Sequence, residues 1–236
     1  MYCQTVFITG ADRGLGLSLT DRFLHAGFRV FSGIRQSAGN LVELTRQFPQ
    51  ELAIIPLDVA NISSVRQAAL LVSRQTPTLN ILINNAAVYL QKPVKPLEEL
   101  DFSDMHFQKT MDVNAFGPLR VSQQFLPLLE KGGRKLILNI SSEAGCIADC
   151  SRTSEYAYCM SKSALNMASK ILQNYLKPRG FKVLAIHPGW MRTDMGGSDA
   201  DIHPDQAAEG IFALAMKQWQ PDDEIYMDYR GQVLPW

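Results

Sequence analysis

Short apolar runs alternate with longer segments of helical periodicity along most of the chain. The runs are rich in β-branched and aliphatic residues and favour strands, whereas the longer segments repeat apolar residues at helical spacing. Strands that are apolar along their whole length and are joined through helices form parallel sheets buried on both faces. The alternation therefore predicts an α/β fold with a doubly wound parallel β-sheet and helices on both faces.

Six of the runs are predicted as strands and five of the segments as helices. The predicted strands are residues 5–9, 29–32, 52–57, 81–84, 135–140 and 182–186. The predicted helices are residues 15–25, 40–47, 63–73, 104–129 and 155–176. Breakers such as Lys92-Pro93 are typical of connecting loops, and no linker divides the chain. We therefore expect residues 1–236 to form a single Rossmann-type domain.

The segment after the sixth predicted strand is rich in loop-forming residues. Residues 190–205 include Gly196, Gly197, Ser198, Asp199 and Pro204. We expect a substrate lid over residues 190–205, with an ordinary ordered loop as the alternative.

The charge balance excludes two classes of partner. Lys and Arg total 23 residues, as do Asp and Glu, so the formal net charge is zero. No overall positive field is available to attract nucleic acid or anionic lipid. The N-terminus lacks a basic region, and no apolar run reaches the roughly 18 residues of a transmembrane helix. We expect a cytoplasmic protein that binds neither nucleic acid nor membranes.

Cysteine and histidine are not spaced as metal ligands. The four cysteines, which include no C-x-x-C pair and are expected to be free thiols, are Cys3, Cys146, Cys150 and Cys159. The four histidines are scattered and form no H-E-x-x-H motif. We therefore expect no metal cofactor.

A glycine-rich turn follows the first predicted strand and opens the first predicted helix. It reads Thr9-Gly10-Ala11-Asp12-Arg13-Gly14-Leu15-Gly16. Glycine at its three positions permits a tight turn, the close approach of a pyrophosphate and the packing of helix on strand. A plain left-handed turn is the alternative, but the strand before it and the helix after it favour dinucleotide binding. Gly10, Gly14, Leu15 and Gly16 are therefore candidate cofactor-binding residues.

The charges near this turn indicate which dinucleotide is bound. The second predicted strand continues into Gly33-Ile34-Arg35 and offers no Asp or Glu to hold a ribose 2′-hydroxyl. Arg13 and Arg35 could instead hold a 2′-phosphate through charge-assisted hydrogen bonds. The alternative is that both arginines are solvated surface charges. We expect NADP(H) to be favoured over NAD(H).

A tyrosine and a lysine lie on one face of the last predicted helix. Tyr158 and Lys162 are four residues apart, and a cation near a phenol lowers its pKa, which suits a general acid or base. Tyr156 is the competing candidate, but Met160 and not lysine follows it by four residues. Taken alone, a Tyr-x-x-x-Lys pair is more often ordinary helix surface.

A serine pair follows the fifth predicted strand at its carboxyl end. Ser141 and Ser142 stand where sheets of this type bind ligands. A serine there can donate a hydrogen bond to a carbonyl oxygen as charge develops on it. In isolation the pair is equally consistent with a turn or a helix cap.

Seven motifs, in order, make the chain resemble the classical short-chain dehydrogenases/reductases over essentially its whole length. They are Thr9-Gly10-x-x-x-Gly14-x-Gly16, Leu57-Asp58-Val59, Asn84-Asn85-Ala86-Ala87, Asn114, Ile140-Ser141-Ser142, Tyr158-x-x-x-Lys162 and His187-Pro188-Gly189-Trp190-Met191-Arg192-Thr193. The runs around Tyr158 and after Pro188, with the Leu-Pro-Trp terminus, look most like the carbonyl-reductase branch that includes the sniffer and C-factor proteins.

The resemblance implies a role for each matching residue. Tyr158 would protonate the substrate carbonyl, and Ser142 would polarise it. Lys162 would lower the pKa of Tyr158 and hold the nicotinamide ribose, and Asn114 would position a water. The further cofactor-binding residues would be Asp58 and Val59 at the adenine, Asn85, Ala86 and Ala87 at its ribose, and Pro188, Gly189, Met191 and Thr193 at the nicotinamide. Residues 88–95, 143–153 and 190–205 would wall the substrate pocket.

The chain departs from the family pattern at three places. Ala87 stands where glycine is usual, which is expected to crowd the backbone near the cofactor slightly. Tyr158 follows Ser142 by 16 positions, more than is usual, so residues 146–155 form a longer loop. His187 stands where many relatives have Asn, and we expect it to have no catalytic role.

Two classes of function remain at this stage. The first is an NADP(H)-dependent oxidoreductase that transfers hydride between nicotinamide and a small carbonyl or alcohol substrate. The second is a cofactor-binding sensor or signalling protein with little turnover, as the C-factor resemblance suggests. The intact set of Asn114, Ser142, Tyr158 and Lys162 favours the enzyme.

The resemblance also implies an oligomer. Family members usually pair through the helices that match residues 104–129 and 155–176, so we expect a homodimer or a tetramer made of two dimers. The helical aromatic residues expected in the core or in this interface are Phe107, Phe116, Phe125 and Tyr175.

Overall fold

A computed structural model describes residues 4–36, 38–91 and 93–236. Cys3, predicted as a free thiol, and Lys92, predicted in a loop and a pocket wall, lie outside the described residues. Within the described ranges, no helix is both long and apolar enough to cross a membrane.

The described residues contain a seven-stranded sheet in which all neighbouring strands are parallel. The strands are β1 (Thr5–Thr9), β2 (Arg29–Ile34), β3 (Leu52–Pro56), β4 (Ile81–Asn84), β5 (Leu136–Ile140), β6 (Lys182–His187) and β7 (Tyr226–Asp228). Their order is β3-β2-β1-β4-β5-β6-β7, so the chain extends one way from β1 and then the other way from β4. The predicted doubly wound sheet is confirmed, and its reversal between β1 and β4 creates a crevice at the carboxyl ends of the strands.

Helices cover both faces of this sheet. Those in the described residues are α1 (Gly14–His25), α2 (Leu41–Gln47), α3 (Ile62–Ser73), α4 (His106–Met111), α5 (Gly117–Glu130), α6 (Tyr156–Leu176) and α7 (Pro204–Met216). Side chains alternate along a strand, so adjacent residues of β1 enter opposite cores. Val6 and Ile8 pack with α1, α2 and α7, whereas Phe7 packs with α3 and α5. The Phe7 and Phe125 rings, with centroids 4.3 Å apart, join β1 to α5.

The helix predicted over residues 104–129 is present as one uninterrupted helical run from His106 to Glu130, but it is not regular. A π-helical turn, Asp112–Phe116, separates α4 from α5, and the Gly117 N–H donates to the Asp112 carbonyl five residues back. Pro118 has no N–H to bond the Asn114 carbonyl, so the regular four-residue pattern is interrupted at this point. The wide turn is thus a consequence of proline at the start of α5, and it contains Asn114.

The sequence analysis also missed α7 and β7. The sequence predicts one loop over residues 190–205, but α7 begins at Pro204, where proline is favoured in the first helical turn. β7 has only three residues and is shorter than the apolar runs that identify the other strands. It pairs in parallel with β6 and places Asp228 and Tyr229 beside the crevice.

Several predicted ends differ by one or two residues. β2 continues to Ile34, β3 ends at Pro56 and β6 ends at His187. β5 begins at Leu136 because Lys135 has a φ of +49°, outside the strand region. α6 begins at Tyr156 because Glu155 has a left-handed φ of +64°.

Candidate active site

A cleft of about 1770 Å³ lies at the carboxyl ends of the strands. Every predicted site residue lines it except Gly16 and Asn114, which are buried. Tyr158 lines the cleft, and Tyr156 does not. Strand ends that are distant in sequence therefore bring the predicted residues to one place, as the fold requires.

The glycine turn has the shape of a phosphate cradle. Gly10 and Gly14 have φ values of +63° and +50°, which favour glycine. A Cβ on Gly16 would lie 2.1 Å from the Gly10 carbonyl oxygen, so no other residue allows this packing. α1 begins without a side-chain cap and without an acidic residue in its first turn. Its first N–H groups are therefore available to an anion, and the turn fits a dinucleotide phosphate.

Thr9 and Asn85 fasten the glycine turn to the loop after β4. Thr9 Oγ1 accepts hydrogen bonds from the N–H groups of Asn85 and Ala86, both at 2.9 Å. Asn85 Nδ2 donates to the carbonyl oxygens of Thr9 and Gly10 at 2.9 and 3.0 Å. Asn85 therefore uses its amide to hold the turn, and its neighbours Ala86 and Ala87 also line the cleft. The hydroxyl of Thr9, at the end of β1, was not among the predicted site residues.

Arg13 and Arg35 are exposed at the rim of the cleft next to the glycine turn. Arg13 Nη1 lies 3.6 Å from Asp12 Oδ2, and Arg13 Nε lies 3.6 Å from Asp194 Oδ2. Exposed ion pairs of this kind contribute about 0–1 kcal/mol, so a phosphate can compete with them for the guanidinium. Both arginines are thus accessible to an anionic group, with Asp12 and Asp194 opposing its approach to Arg13.

Asp58 and Val59 line the cleft just after β3. Asp58 Oδ1 accepts a hydrogen bond from the Ala60 N–H at 3.0 Å, and the Asp58 N–H donates to Ser64 Oγ at 2.9 Å. Asp58 is thereby fixed at the start of α3. Val59 is 7% exposed and packs against Gly117, where a Cβ would approach Val59 Cγ2 to 3.0 Å.

Tyr158 is in the first turn of α6, with its phenol in the cleft. Burial raises the pKa of Tyr158 to about 12, while a hydrogen bond from the Ser142 side chain acts in the lowering direction. The rings of Tyr158 and Tyr89 meet edge to face, with centroids 5.2 Å apart. The phenol is thus held between Ser142 and Tyr89 and is neutral at pH 7.

Lys162 is one helical turn further along α6 and is 2% exposed. Its Nζ donates to the Ile140 carbonyl oxygen at 2.8 Å and lies 5.7 Å from the centroid of the Tyr158 ring. Burial lowers the pKa of Lys162 to about 8, so the ammonium form predominates at neutral pH. Burial is the largest influence on the Tyr158 pKa, and the expected lowering of that pKa by Lys162 remains a prediction.

Ser142 follows β5 and uses its hydroxyl within its own loop. Ser142 Oγ donates to Glu143 Oε2 at 2.5 Å and accepts from the Ala144 N–H at 3.1 Å. Its carbonyl oxygen accepts from the buried Tyr226 hydroxyl at 2.7 Å. Tyr226 lies on β7, so sequence reasoning that missed β7 could not find this support.

Asn114, in the π-helical turn, is bonded to the loop after β4. Asn114 Oδ1 accepts from the Val88 N–H at 2.8 Å, and Nδ2 donates to the Val88 carbonyl at 2.9 Å and to Ser161 Oγ at 3.1 Å. The side chain therefore joins this loop to α6. Its predicted water-positioning role remains a prediction.

The segment predicted as a lid is bonded to itself. Met191 forms a parallel β-bridge with Ile202, and Trp190 Nε1 donates to the Gly196 carbonyl at 2.9 Å. A Cβ on Gly14 would approach Thr193 Cγ2 to 3.2 Å, so this segment reaches across to the glycine turn. Pro188, Gly189, Met191 and Thr193 all line the cleft, and the segment ends where α7 begins at Pro204. Its mobility remains a prediction.

A polar cluster lies beside Tyr158; its members Tyr89, Glu143 and Arg152 fall within the predicted pocket walls, but their ion pairs and hydrogen bonds were not predicted. The Arg152 guanidinium forms ion pairs with Glu143 and Glu155, and the Tyr89 hydroxyl donates to Glu155 Oε1 at 2.6 Å. His187 Nδ1 accepts the Glu143 N–H at 3.1 Å, and burial lowers the His187 pKa. Arg152 and Glu155 belong to the extended loop, of which residues 146–153 were predicted to wall the pocket.

Within the described ranges, no three His, Cys, Asp or Glu residues converge as a metal site. Cys146, Cys150 and Cys159 are free thiols.

Comparisons with known sequences agree with this geometry. A sequence model of the family described as short chain dehydrogenase matches residues 4–202. An uncharacterized oxidoreductase of Schizosaccharomyces pombe is 33% identical over 97% of the chain and 96% of its own length. The protein named C-signal of Myxococcus xanthus is 36% identical over 68% of the chain and 95% of its own length.

Solved structures superpose on the whole chain. An NADPH-bound carbonyl reductase from chicken fatty liver is 30% identical, covers 100% of both chains and has a TM-score of 0.90. The carbonyl reductase Sniffer of D. melanogaster is 28% identical, covers 100% of both chains and has a TM-score of 0.92.

Proposed function

The chain belongs to the short-chain dehydrogenase family and is an oxidoreductase; on that premise we propose that it is an NADP(H)-dependent carbonyl reductase with Tyr158 as general acid. The family, indicated by the seven motifs, is confirmed, as is the likeness to sniffer and C-signal proteins. The proposal is carried by one observation: Ser142, Tyr158 and Lys162 border the same cleft as the glycine turn.

The proposed reaction needs a proton donor beside the hydride-accepting carbon. A nicotinamide cofactor, when bound, supplies the hydride in reduction or accepts it in oxidation. The Tyr158 phenol is the group that gives the proton to the carbonyl oxygen in reduction. Burial, which raises the Tyr158 pKa to about 12, keeps that proton in place at neutral pH. Oxidation of an alcohol would need the phenolate and would accelerate as the pH rises.

Lys162 and Asn114 are proposed to assist Tyr158, one through its charge and the other through its structural contacts. Lys162, anchored on the Ile140 carbonyl, presents a positive charge in the cleft and is the proposed partner of the nicotinamide ribose. Asn114 holds Val88 and Ser161 together and so fixes the pocket wall relative to α6. The proposed link between Lys162 and solvent through a water at Asn114 rests on the family resemblance.

The preference for NADP(H) is proposed from charge. Arg13 and Arg35 border the cleft next to the glycine turn, where a 2′-phosphate could reach them. The chicken carbonyl reductase to which the chain is similar is described as NADPH-bound, which supports the choice.

A spectrophotometric screen tests the activity directly. We expect the purified protein to oxidise NADPH in the presence of at least one ketone or aldehyde from a panel of small and medium-sized carbonyl compounds, because the proton donor and the cradle share one cleft. NADPH absorbance at 340 nm is the measurement, with protein omitted as the control. Tight NADPH binding without turnover on any carbonyl would overturn the proposal.

That outcome would instead favour the second candidate, a cofactor-binding sensor or signalling protein. The 36% identity to the protein named C-signal is the observation that supports it. The presence of Ser142, Tyr158 and Lys162 at one cleft favours the enzyme over the sensor.

We further propose that the protein is a homodimer that pairs through α5 and α6. α6 carries an exposed apolar stripe, whose members are Met160, Met167, Ile171 and Tyr175. Phe116 and Leu119 are exposed at the start of α5, whereas Phe125 is buried in the core. Apolar side chains grouped on neighbouring helices are typical of an interface. Pairing of dimers into tetramers and a cytoplasmic location remain predictions.

Ile171→Glu is expected to convert the dimer to a monomer. Ile171 is 60% exposed near the middle of the stripe, and a buried unpaired carboxylate there is strongly unfavourable. Sedimentation equilibrium measures the mass, and Val42→Glu, at an exposed apolar residue of α2, is the matched control. A wild-type protein that is monomeric at micromolar concentration would contradict the interface.

A further inference from the structure

The direction of the Ser142 hydroxyl bond is fixed by its neighbours. A serine hydroxyl has one proton to donate and two lone pairs to accept with. In this structure the proton is donated to Glu143 Oε2 at 2.5 Å, and one lone pair accepts the Ala144 N–H at 3.1 Å. Glu143 therefore orients the Ser142 hydroxyl, which lies next to the Tyr158 phenol in the cleft.

Glu143 is held in its ionised form by a second contact. Arg152 Nη2 lies 2.6 Å from Glu143 Oε1, so the two carboxylate oxygens have different partners, one a hydroxyl and the other a guanidinium. Burial alone would raise the pKa of Glu143, but the hydrogen bonds from Ser142 and Arg152 outweigh burial and lower it. These contacts thus favour the charged form of the carboxylate.

Arg152 is itself fixed by the extended loop and by α6. Its other ion-pair partner is Glu155, which has a left-handed φ of +64° directly before α6. Glu155 also accepts the Tyr89 hydroxyl, and the Tyr89 ring contacts the Tyr158 ring. A non-glycine residue in this region is strained, and the contacts of Glu155 with Arg152 and Tyr89 hold it there.

We propose that Glu143 and Arg152 are positioning residues for the reductase reaction: Glu143 orients the Ser142 hydroxyl, and the Glu143–Arg152 pair sets the electrostatic potential at the Tyr158 phenol. The proposal rests on the proposed carbonyl-reductase function. It gives Arg152, in the extended loop, and Glu143, in the turn after β5, a role in setting the protonation of Tyr158. Neither residue touches the reacting atoms, and both act through Ser142 and Tyr158.

The charges around the Tyr158 phenol determine the direction in which each substitution shifts its pKa. The groups that face Tyr158 are Ser142 and Glu143 from the turn after β5, Arg152 from the extended loop, Tyr89 from the loop after β4, and Cys159 and Lys162 from its own helix. The negative charge of Glu143 raises the Tyr158 pKa, and the positive charge of Arg152 lowers it. Removing one charge and then the other must therefore shift the Tyr158 pKa in opposite directions.

His187 reports the same two charges without any turnover. It accepts the Glu143 N–H, and the groups that face it are Glu143, Asp228, Arg152 and Lys162. Glu143 raises its pKa and Arg152 lowers it, as for Tyr158. An imidazole titrates in a range where the protein is folded, so its proton resonances can be followed by NMR.

The experiment compares Glu143→Gln, Arg152→Gln and the double variant with the wild-type protein. Glutamine keeps an oxygen that can accept from Ser142, so Glu143→Gln removes the charge at nearly constant shape. We expect the alkaline limb of kcat/KM for carbonyl reduction to move about one pH unit lower in Glu143→Gln and higher in Arg152→Gln. The double variant should return close to wild type, and the His187 resonance should show the same three directions.

The Lys162 ammonium lies near the Tyr158 ring, and the titration of either group can determine the alkaline limb of kcat/KM. A negative charge raises the pKa of both groups, so the expected direction is the same for either. Glu43→Gln, which breaks the exposed pair between Glu43 and Arg46 on α2, is the matched control and should shift neither readout.

The possible outcomes distinguish a failure of the proposed carbonyl-reductase function from a failure of the positioning role alone. A wild-type protein without carbonyl turnover overturns the proposed function, and the positioning role falls with it. Turnover with unshifted pH profiles, or with shifts of one sign in both variants, overturns the positioning role alone. A uniform loss of kcat with an unchanged profile and an unchanged His187 titration would show that the pair only supports the loop.

Discussion

Tyr158→Phe is expected to reduce kcat for carbonyl reduction by about 10³-fold, because general acid catalysis by a positioned side chain contributes roughly 10²–10⁴-fold. Phenylalanine keeps the ring and its edge-to-face contact with Tyr89, so the change removes only the hydroxyl. NADPH binding and the KM for the carbonyl substrate should change little, since the phenol proton is transferred in the chemical step. Steady-state kinetics with a substrate from the carbonyl screen, together with NADPH titration, measure both.

Tyr156→Phe is the matched control for this prediction. Tyr156 is two residues away on the same helix turn and does not line the cleft, so its hydroxyl should be dispensable. Equal losses in the two variants would indicate damage to α6 and not the loss of an acid. Full turnover by Tyr158→Phe would remove Tyr158 from the proposed proton transfer.

The parts of the fold that could be predicted are those buried on both sides. β1, β4 and β5 are continuous apolar runs because helices cover both of their faces, and their pattern is visible in the sequence. β7 was not predicted because a strand of three residues is too short to show the two-residue alternation of a strand. The π-helical turn escaped because a periodicity averaged over residues 104–129 does not register one widened turn at Pro118.

The site also contains residues that could be predicted from the sequence and contacts that could not. Gly10, Ser142 and Tyr158 could be predicted because each follows or begins a regular element in a recognisable motif. The contacts of Tyr226 with Ser142 and of Tyr89 with Glu155 join strand ends and loops that are far apart in sequence. Such pairings depend on the sheet order, which a single sequence does not display, and Arg152 lies in a loop with no periodic pattern at all.

Replacing Arg13 and Arg35 together with alanine is expected to weaken NADPH binding by about 100-fold and to leave NADH binding nearly unchanged. Each charge-assisted hydrogen bond contributes about 1.5–3 kcal/mol, and 1.4 kcal/mol corresponds to tenfold in affinity. NADH lacks the 2′-phosphate, so it does not draw on these contacts. Calorimetric titration of both cofactors into the wild-type and variant proteins measures the ratio.

Removing a carboxylate beside Arg13 is expected to strengthen NADPH binding, the opposite of the effect of removing the arginines. Asp194 lies 3.6 Å from Arg13 Nε and competes with a phosphate for the guanidinium, so Asp194→Asn should strengthen NADPH binding a few-fold. Arg46→Ala, at an exposed arginine of α2 that pairs with Glu43, is the control for a general loss of positive charge. Parallel losses of NADPH and NADH binding would place the two arginines on a phosphate common to both cofactors. Because the pyrophosphate is the shared anion, that result would leave the glycine turn as the proposed cradle and withdraw the preference for NADP(H).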